Sequence, residues 1–265
     1  MNERAELVAH YSAADEQARL TATESLELLR TRIILNRVLP PAPSAILDVG
    51  GGAGVYASWL ADRGHSVHLV DPVPKHVEQA AAVGTFTAAV GDAVALEAAD
   101  DSYDAVLLLG PLYHLVERAD RLRALREARR VARPGAPVAV AAISRYASTM
   151  DGFYHGLIAD SAFVEILTED LRSGQHRNPD DDPRYFTTAY FHTCADLRDE
   201  VVEAGFEDVG VLPVEGMLAW APDLAGLLAD PEVRDLALHC LEQAETDPAA
   251  TAATPHLLAV ARAPK

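Results

Sequence analysis

Residues 46–54 read Ile-Leu-Asp-Val-Gly-Gly-Gly-Ala-Gly, an apolar run followed directly by a glycine-rich turn. The apolar run predicts a short buried strand at Ser44–Val49, and the residues after the turn predict a helix at Val55–Arg63. Glycines at a strand-to-helix turn let the backbone bend tightly and approach a ligand at the amino end of the helix. The segment therefore predicts the first βα unit of an α/β fold, with a turn that is either a ligand-binding loop or an ordinary tight turn.

The glycine spacing separates two classes of ligand. A dinucleotide-binding loop follows G-x-G-x-x-G and presents the helix end to a pyrophosphate. Here Gly50, Gly52 and Gly54 give G-x-G-x-G, and Val55 occupies the position of the third glycine in the dinucleotide pattern. Asp48 precedes the first glycine by two residues, where a carboxylate would repel a pyrophosphate but suit a cationic amine or sulfonium. The spacing therefore favours a cationic ligand over NAD(H).

Strands and helices alternate on both sides of this turn. The pattern predicts a mostly parallel seven-stranded sheet with helices on both faces, and thus an α/β fold. The further strands are predicted at Val67–Val70, Thr85–Val90, Tyr103–Leu109, Pro137–Ile143, Val209–Val214 and His256–Ala261, and the further helices at Lys75–Val83, Ala119–Ala132, Ala195–Ala204 and Pro222–Glu245.

The rest of the chain fits around this sheet as a single domain over residues 1–265. Apolar residues at helical spacing predict an N-terminal helical cover within residues 1–40. Residues 44–144 form the ligand-binding core, and residues 193–265 complete the sheet. Between the fifth and sixth strands, residues 145–192 break the alternation, with one helix predicted at Phe153–Leu171. We expect this insertion to form a lid.

Two more segments follow strands of the core. Asp71 ends the second strand, 21 residues after Gly50, and Pro72 follows it. An acid at this point of a Rossmann fold accepts hydrogen bonds from ribose hydroxyls, although it could also cap the next helix. Gly91-Asp92-Ala93 follows the third strand, where Asp92 is either a ligand contact or a turn residue. Together with the glycine turn, these segments resemble the class I S-adenosylmethionine (SAM)-dependent methyltransferases.

The resemblance implies SAM as cofactor and S-adenosylhomocysteine as product. It implies that the glycine backbone lies against the methionine and ribose parts of SAM, that Asp71 binds the ribose, and that Asp92 and Ala93 contact the adenine. The cofactor-binding residues it implies are Asp48, Gly50, Gly51, Gly52, Gly54, Asp71, Pro72, Asp92, Ala93, Gly110, Tyr11 and Arg19. Tyr11 and Arg19 lie on the N-terminal helical segment, although Arg19 also fits a simple surface charge.

Three residues are candidates for the chemistry. Gly110 to His114 follow the fourth strand, so we expect them beside the SAM methyl group, at the edge where strand carboxyl ends form the crevice. His114 titrates near neutral pH and is a candidate general base, with Tyr113 shaping the pocket. His176, in the insertion, is a second candidate base. The alternative for His114 is a histidine that satisfies backbone groups at the start of a helix, and the alternative for His176 is a residue of an ordinary polar loop.

Candidate substrate contacts lie in and before the insertion. Aromatic and cationic side chains there suit a flat or anionic substrate, although an aromatic tail packed on the sheet fits equally well. The predicted substrate-binding residues are Arg145, Tyr146, Arg177, Tyr190 and His192. Asp180-Asp181-Asp182 fits solvated charge, and we expect no metal.

Charge and composition restrict the partners. Acids outnumber bases 40 to 22, giving a formal net charge of -18, whereas nucleic-acid binding needs cations that neutralise phosphates. The arginine-rich run from Arg118 to Arg133 reads as the solvated face of a helix rather than a basic patch. We expect no nucleic-acid or membrane partner, a cytoplasmic location, and either a monomer or a homodimer.

The sequence therefore predicts a SAM-dependent methyltransferase that acts on an oxygen, nitrogen or carbon nucleophile of a small-molecule metabolite. A protein of the same fold that binds SAM without methyl transfer, such as a cyclase, a decarboxylase or a sensor, is the alternative. A nucleotide-dependent oxidoreductase is a third hypothesis, and Val55 argues against it because a dinucleotide-binding loop has glycine at this position.

Overall fold

The computed structural model of the chain describes residues 25–178, 182 and 184–265. Helix α1 (Leu26–Val38) is the described part of the predicted N-terminal cover. Ser25 caps α1, since its side chain accepts a hydrogen bond from the Leu28 N–H. Tyr11 and Arg19, predicted to contact SAM, lie outside the described residues, as do Asp180 and Asp181.

A seven-stranded sheet forms the centre of the molecule, in the order β3-β2-β1-β4-β5-β9-β8. The chain runs parallel from β1 to β5, and β9 is antiparallel to both β5 and β8. This confirms the predicted α/β fold with a mostly parallel sheet. The strands are β1 (Ala45–Val49), β2 (Ser66–Asp71), β3 (Thr87–Val90), β4 (Ala105–Leu108), β5 (Pro137–Ile143), β8 (Glu207–Pro213) and β9 (His256–Arg262).

Helices cover both faces of the sheet, each over its own apolar core. On one face, α1, α2 (Val55–Asp62) and α3 (Pro74–Val83) share a buried cluster with alternate strand residues. On the other face, α4 (Arg118–Val131) and α7 (Cys194–Glu203) pack over a second cluster. Burial of both faces explains why the central strands read as continuous apolar runs.

The arginine-rich helix α4 buries one stripe and exposes the rest. The apolar residues along one side of the helix, such as Leu122 and Leu125, are buried. Several arginines form ion pairs with acids: Arg118 with Glu203, and Arg130 with Glu127 and Asp100. The acids around the helix therefore pair the surface charge within the protein. None of the helices in residues 25–178 and 184–265 combines the length and apolar character needed to cross a membrane.

The insertion differs from its predicted single helix. The structure has two helices, α5 (Ala147–Tyr154) and α6 (Ser161–Ser173), separated by a short 3-10 turn, because Gly156 adopts φ +73° and ends the first helical path. A two-stranded ribbon of β6 (Gln175–His176) and β7 (Ala189–Tyr190) follows. The predicted helix Phe153–Leu171 was therefore wrong in its start and in its continuity.

The helical stretch predicted at 222–245 is also divided. It forms α8 (Leu224–Ala229) and α9 (Pro231–Ala244), and a short α10 (Pro248–Thr251) follows. Pro231 cannot continue α8 because it lacks the N–H that the helix would use. Asp230 instead caps α9 by accepting hydrogen bonds from the next N–H groups.

Candidate functional site

The glycine turn lies where the carboxyl ends of β1, β2 and β4 meet. The Gly50 N–H donates to the Val70 carbonyl at 2.6 Å, which ties the turn to β2. Gly50, Gly52 and Gly54 all have positive φ, which glycine adopts without strain. A Cβ on Gly54 would come within 2.5 Å of Phe86, whereas a Cβ on Gly52 would meet no atom within 4 Å. Gly54 thus serves packing, and Gly52 faces open space.

This difference predicts that two alanine variants differ in their effects on stability and on ligand binding. Gly54→Ala should lower the free energy of unfolding by roughly 2 kcal/mol or more, through a clash and an unfavourable φ. Gly52→Ala carries the backbone strain alone, about 1 kcal/mol, so it should mainly weaken a ligand held against the turn. Urea denaturation and calorimetric ligand binding measure the two effects. Equal effects of both variants on binding would argue against a ligand at Gly52.

Asp48 is a buried carboxylate on β1 beside the turn. Neither carboxylate oxygen has a hydrogen-bond partner among the described residues, and the side chain is completely buried. Burial, helped by the nearby Asp71 charge, raises the pKa of Asp48 to about 7. A Cβ on Gly51 would lie 2.6 Å from the Asp48 Oδ2, so only glycine fits over this carboxylate. A buried, unpartnered carboxylate is costly, and its position suits a cationic ligand.

Asp71 fixes the turn from the end of β2. Its Oδ2 accepts a hydrogen bond from the Gly52 N–H at 2.9 Å, and its Oδ1 accepts from the Val73 N–H, also at 2.9 Å. The Nδ1 of His76 lies 3.2 Å from Oδ1, a contact that sequence reasoning missed. The carboxylate therefore connects the glycine turn to the start of α3, and Pro72 follows it at that junction.

The other predicted cofactor residues lie along the same edge. Asp92 is half-buried after β3, where its Oδ1 accepts from the Val94 N–H at 3.2 Å, and Ala93 is buried beside it. Gly110 packs so closely on the turn that a Cβ there would lie 2.8 Å from the Gly50 carbonyl oxygen. The structure thus brings together β1, β2, β3 and β4 residues that the sequence assigned to one ligand. Their contact with SAM stays a prediction.

A cavity of about 770 Å³ opens beside this edge. Leu109 and Tyr113, on either side of Gly110, line it, so the cavity adjoins the glycine turn. The lid covers it with Tyr154, Phe186 and other residues of 147–191. Further lining residues come from α1, α2, the segment between β8 and β9 and the start of β9, and include Glu27, Thr31, Tyr56, Trp220, Leu224 and His256. The insertion therefore forms one wall of the cavity. Its action as a lid over a bound ligand stays a prediction.

Tyr113 and His114 lie in a 3-10 turn after β4. Tyr113 lines the cavity, and its ring contacts the His114 ring edge-on at 4.5 Å between centroids. The His114 ring also stacks on Phe186 of the lid at 6.2 Å. His114 therefore lies behind the cavity-lining rings of Tyr113 and Phe186, and its role as a general base stays a prediction.

His176, a predicted catalytic residue, lines the cavity and contacts other parts of the protein through its ring. The ring is 2% exposed, its Nδ1 lies 2.9 Å from Asp170 Oδ2, and its Nε2 lies 3.1 Å from the Phe186 carbonyl oxygen. Ser148 hydrogen-bonds the same carboxylate. His176 therefore connects α6 to the segment at Phe186, and its catalytic role stays a prediction.

Three predicted substrate residues lie outside the cavity wall. The Arg145 guanidinium binds Asp196 and the Phe191 carbonyl, and the Tyr190 ring packs 3.5 Å from the Arg121 guanidinium carbon. His192 is completely buried, with Nε2 3.3 Å from Glu200. These side chains join the lid to α4 and α7. Their contact with a substrate stays a prediction.

The two remaining candidates are on the surface of the insertion. Arg177 is exposed, with its Nη2 3.3 Å from the Gln175 side-chain oxygen. Tyr146 is 40% exposed and lies just before the cavity-lining Ala147. Tyr146 is therefore near the cavity, whereas Arg177 is not part of its wall.

Sequence reasoning missed a polar group inside the cavity. His256 begins β9, and its Nδ1 lies 2.5 Å from Oε1 of the buried Glu215. Burial pushes the pKa of Glu215 up, but His256 and backbone N–H groups outweigh burial, so the pKa is lowered. The two residues are far apart in sequence and belong to no motif, so only the pairing of β8, β9 and β5 places them at this edge.

Comparison with known proteins identifies the core. Residues 46–135, which contain the glycine turn, Asp71, Asp92 and the cavity-lining Tyr113, match a methyltransferase domain family. This part of the chain is therefore similar to methyltransferase domains. The match ends after α4, so the lid and the C-terminal strands, which supply much of the cavity wall, lie outside it.

Curated relatives and solved structures support this methyltransferase domain. An uncharacterized methyltransferase of Mycobacterium tuberculosis is 38% identical over 99 residues, which cover 37% of this chain and 39% of the relative. The chain thus spans about two fifths of the length of the curated relatives it first matches.

The fold extends over nearly the whole chain. A SAM-dependent methyltransferase of Methanosarcina mazei superposes with a TM-score of 0.59 at 18% identity, covering 87% of this chain and 97% of that one. A cyclase superposes with a TM-score of 0.55 at 20% identity, covering 90% of this chain and 80% of that one. The chain therefore has the Rossmann-like α/β fold of these structures.

Proposed function

We propose that this chain binds SAM at the glycine turn and transfers its methyl group to a small-molecule acceptor in the adjoining cavity. The observation that carries the proposal is Asp48, a completely buried carboxylate without a hydrogen-bond partner among the described residues, next to a turn with open space at Gly52. SAM carries both an ammonium and a sulfonium group, either of which would offset the cost of this buried charge.

The other residues at this edge fit the rest of SAM. Asp71 presents a carboxylate at the end of β2, where ribose hydroxyls are bound in Rossmann folds. Asp92 and Ala93 follow β3 and would meet the adenine. The glycine turn brings backbone rather than side chains to the ligand.

The cavity suits a small organic acceptor rather than a macromolecule. Its volume of about 770 Å³ is within the range of small-molecule sites. Aromatic side chains from the lid and from α2 enclose it, and Glu27, Asp151 and Arg184 supply charge. SAM supplies an activated methyl group when bound, so the chain's own residues must orient the acceptor and exclude water. Tyr113, which lines the cavity next to Gly110, is placed to orient an acceptor.

The competing function is SAM binding without methyl transfer. The superposition with a cyclase supports considering it, because one fold serves several chemistries. The two functions differ in product. Methyl transfer yields S-adenosylhomocysteine in step with methylated acceptor, whereas a cyclase or a sensor leaves SAM unchanged.

Calorimetry with SAM, S-adenosylhomocysteine and NADH tests the cofactor first. We expect both sulfur ligands to bind and NADH not to bind. A screen of amines, phenols and carboxylic acids, read as S-adenosylhomocysteine formation, then tests transfer. Failure of both sulfur ligands to bind would end the proposal, and tight SAM binding with no product from any acceptor class would favour the competing function.

Asp71→Ala should weaken SAM binding by roughly 1–3 kcal/mol, which corresponds to about fivefold to 150-fold, through lost charge-assisted hydrogen bonds. Asp71→Asn is the matched control for shape, since it retains an acceptor oxygen but loses the charge. Calorimetry at constant pH measures both variants, with circular dichroism to confirm the fold. Unchanged affinity in Asp71→Ala would remove this residue from the cofactor site.

A further inference from the structure

Three metal-ligating side chains from distant parts of the chain meet at one wall of the cavity. Glu27 comes from α1, Glu215 from the segment after β8, and His256 from the start of β9. One donor atom of each residue lies within 4.8 Å of a donor atom of the other two. Glu27 and His256 line the cavity, and Glu215 is buried behind them.

Glu215 is held in place by groups that would form an outer shell. Its Oε2 accepts a hydrogen bond from the His256 N–H at 3.1 Å and lies 3.1 Å from the Oγ1 of the buried Thr254. Its Oε1 points at the His256 ring, 2.5 Å from Nδ1. Hydrogen bonds of this kind orient the ligating carboxylates of metal sites. The carboxylate is therefore fixed with one oxygen directed into the cluster.

A simple ion pair accounts for only part of this arrangement. His256 and Glu215 alone would join β9 to the segment after β8, and that pair needs no further carboxylate. Glu27 places a second carboxylate within 4.8 Å of the donor atoms of Glu215 and His256, so the three side chains together have the spacing of a metal-ligand set. The helix dipole favours an acid in the first turn of α1 but does not select a face of the helix. Glu27 lies on the face that lines the cavity.

We propose that Glu27, Glu215 and His256 bind a divalent first-row transition metal at the cavity wall. Two carboxylates and an imidazole form an oxygen and nitrogen donor set that suits Zn²⁺, Mn²⁺ or Fe²⁺ better than Mg²⁺ or Ca²⁺, which favour oxygen alone. Three protein ligands leave a coordination position open toward the cavity. That position would take an oxygen or nitrogen atom of the acceptor. Glu27, Glu215 and His256 are far apart in the sequence and form no spacing motif, so the expectation of no metal, based on Asp180-Asp181-Asp182, did not consider them.

Cobalt titration of the full chain, stripped of metal with a chelator, tests the site. We expect one equivalent of Co²⁺ to bind per chain, with visible absorption bands and displacement by Zn²⁺. His256→Gln and Glu27→Gln should each lower the affinity at least tenfold. His239→Gln, an exposed histidine on α9, is the matched control and should leave the affinity unchanged.

The outcomes separate this site from the proposed function. Glu27 is half-exposed, so Glu27→Gln keeps the test valid if His256→Gln folds poorly. Equal cobalt affinity in the wild type and both variants, or a cobalt spectrum with thiolate charge-transfer bands from Cys194 or Cys240, would overturn the proposal. SAM calorimetry on metal-free protein is independent, so loss of SAM binding with intact cobalt binding would refute only the methyltransferase proposal.

Discussion

Asp48→Asn should make the ligand-free protein more stable at pH 8 and remove most of its affinity for SAM. The carboxyl has its pKa raised from 3.8 to about 7, because burial and the nearby Asp71 charge disfavour its ionised form. A shift of about three units corresponds to roughly 4 kcal/mol. At pH 8 the folded protein carries this cost in full, and a neutral amide avoids most of it.

The pH dependence gives the sign of this effect. Below pH 4 the carboxyl is protonated in both the folded and the unfolded state, so it contributes nothing. As the pH rises from about 4 to about 7, the unfolded state loses its proton first, and the free energy of unfolding of the wild type falls. The gap between Asp48→Asn and the wild type should therefore be largest at pH 8 and shrink toward pH 5. Urea denaturation at several pH values measures it.

SAM binding should show the opposite preference. A cationic ligand pairs with the ionised carboxylate, so the affinity of the wild type should rise as the pH increases through about 7. Asp48→Asn should bind SAM weakly and with little dependence on pH in this range. Asp199→Asn, at an exposed position on α7, is the matched control and should change neither property. Wild-type stability of Asp48→Asn at pH 8 would show that the carboxylate is not desolvated.

The part of the fold closest to the glycine turn follows most directly from the sequence. The apolar run before Gly50 and the acid at Asp71 depend on local spacing, so strand, turn and ligand edge were predictable together. Predicted strands agree with the structure within a few residues, and Pro137–Ile143 has the same bounds in both. Local periodicity decides these elements because both faces of each central strand are buried.

The residues that line the cavity could not be predicted from local sequence patterns. His256 meets Glu215 only because β9 runs antiparallel between β5 and β8, a pairing between segments about 40 residues apart. For the lid, the sequence predicted ligand contacts for its histidines and for Arg145 because such side chains are common in binding sites. In the structure, His176 contacts the buried Asp170 and Arg145 donates to the Phe191 carbonyl oxygen. Composition does not distinguish a polar side chain that binds a ligand from one that binds the protein.

Glu200→Gln should lower the free energy of unfolding by about 3–5 kcal/mol at pH 7, because it leaves a buried cation without its counter-charge. The Arg121 side chain is 1% exposed, and its Nη2 lies 2.7 Å from Glu200 Oε1. His192 contacts the same carboxylate from the lid, and burial lowers the pKa of this histidine, so Arg121 supplies the charge. Glu203→Gln, which affects an exposed ion pair with Arg118, is the control and should cost less than about 1 kcal/mol.

This variant also decides between two roles for the predicted substrate residues Tyr190 and His192. Burial raises the pKa of Glu200, but hydrogen bonds from His192 and Arg121 outweigh it and lower the pKa to about 2. The wild type should therefore lose this stabilisation as the pH falls from about 4.5 to about 2, while Glu200→Gln should lack that acid-dependent loss. If the network is structural, SAM affinity stays at the wild-type value. Intact stability with impaired methyl transfer would instead return Tyr190 and His192 to the substrate site, since the same side chains cannot hold the lid and remain dispensable for folding.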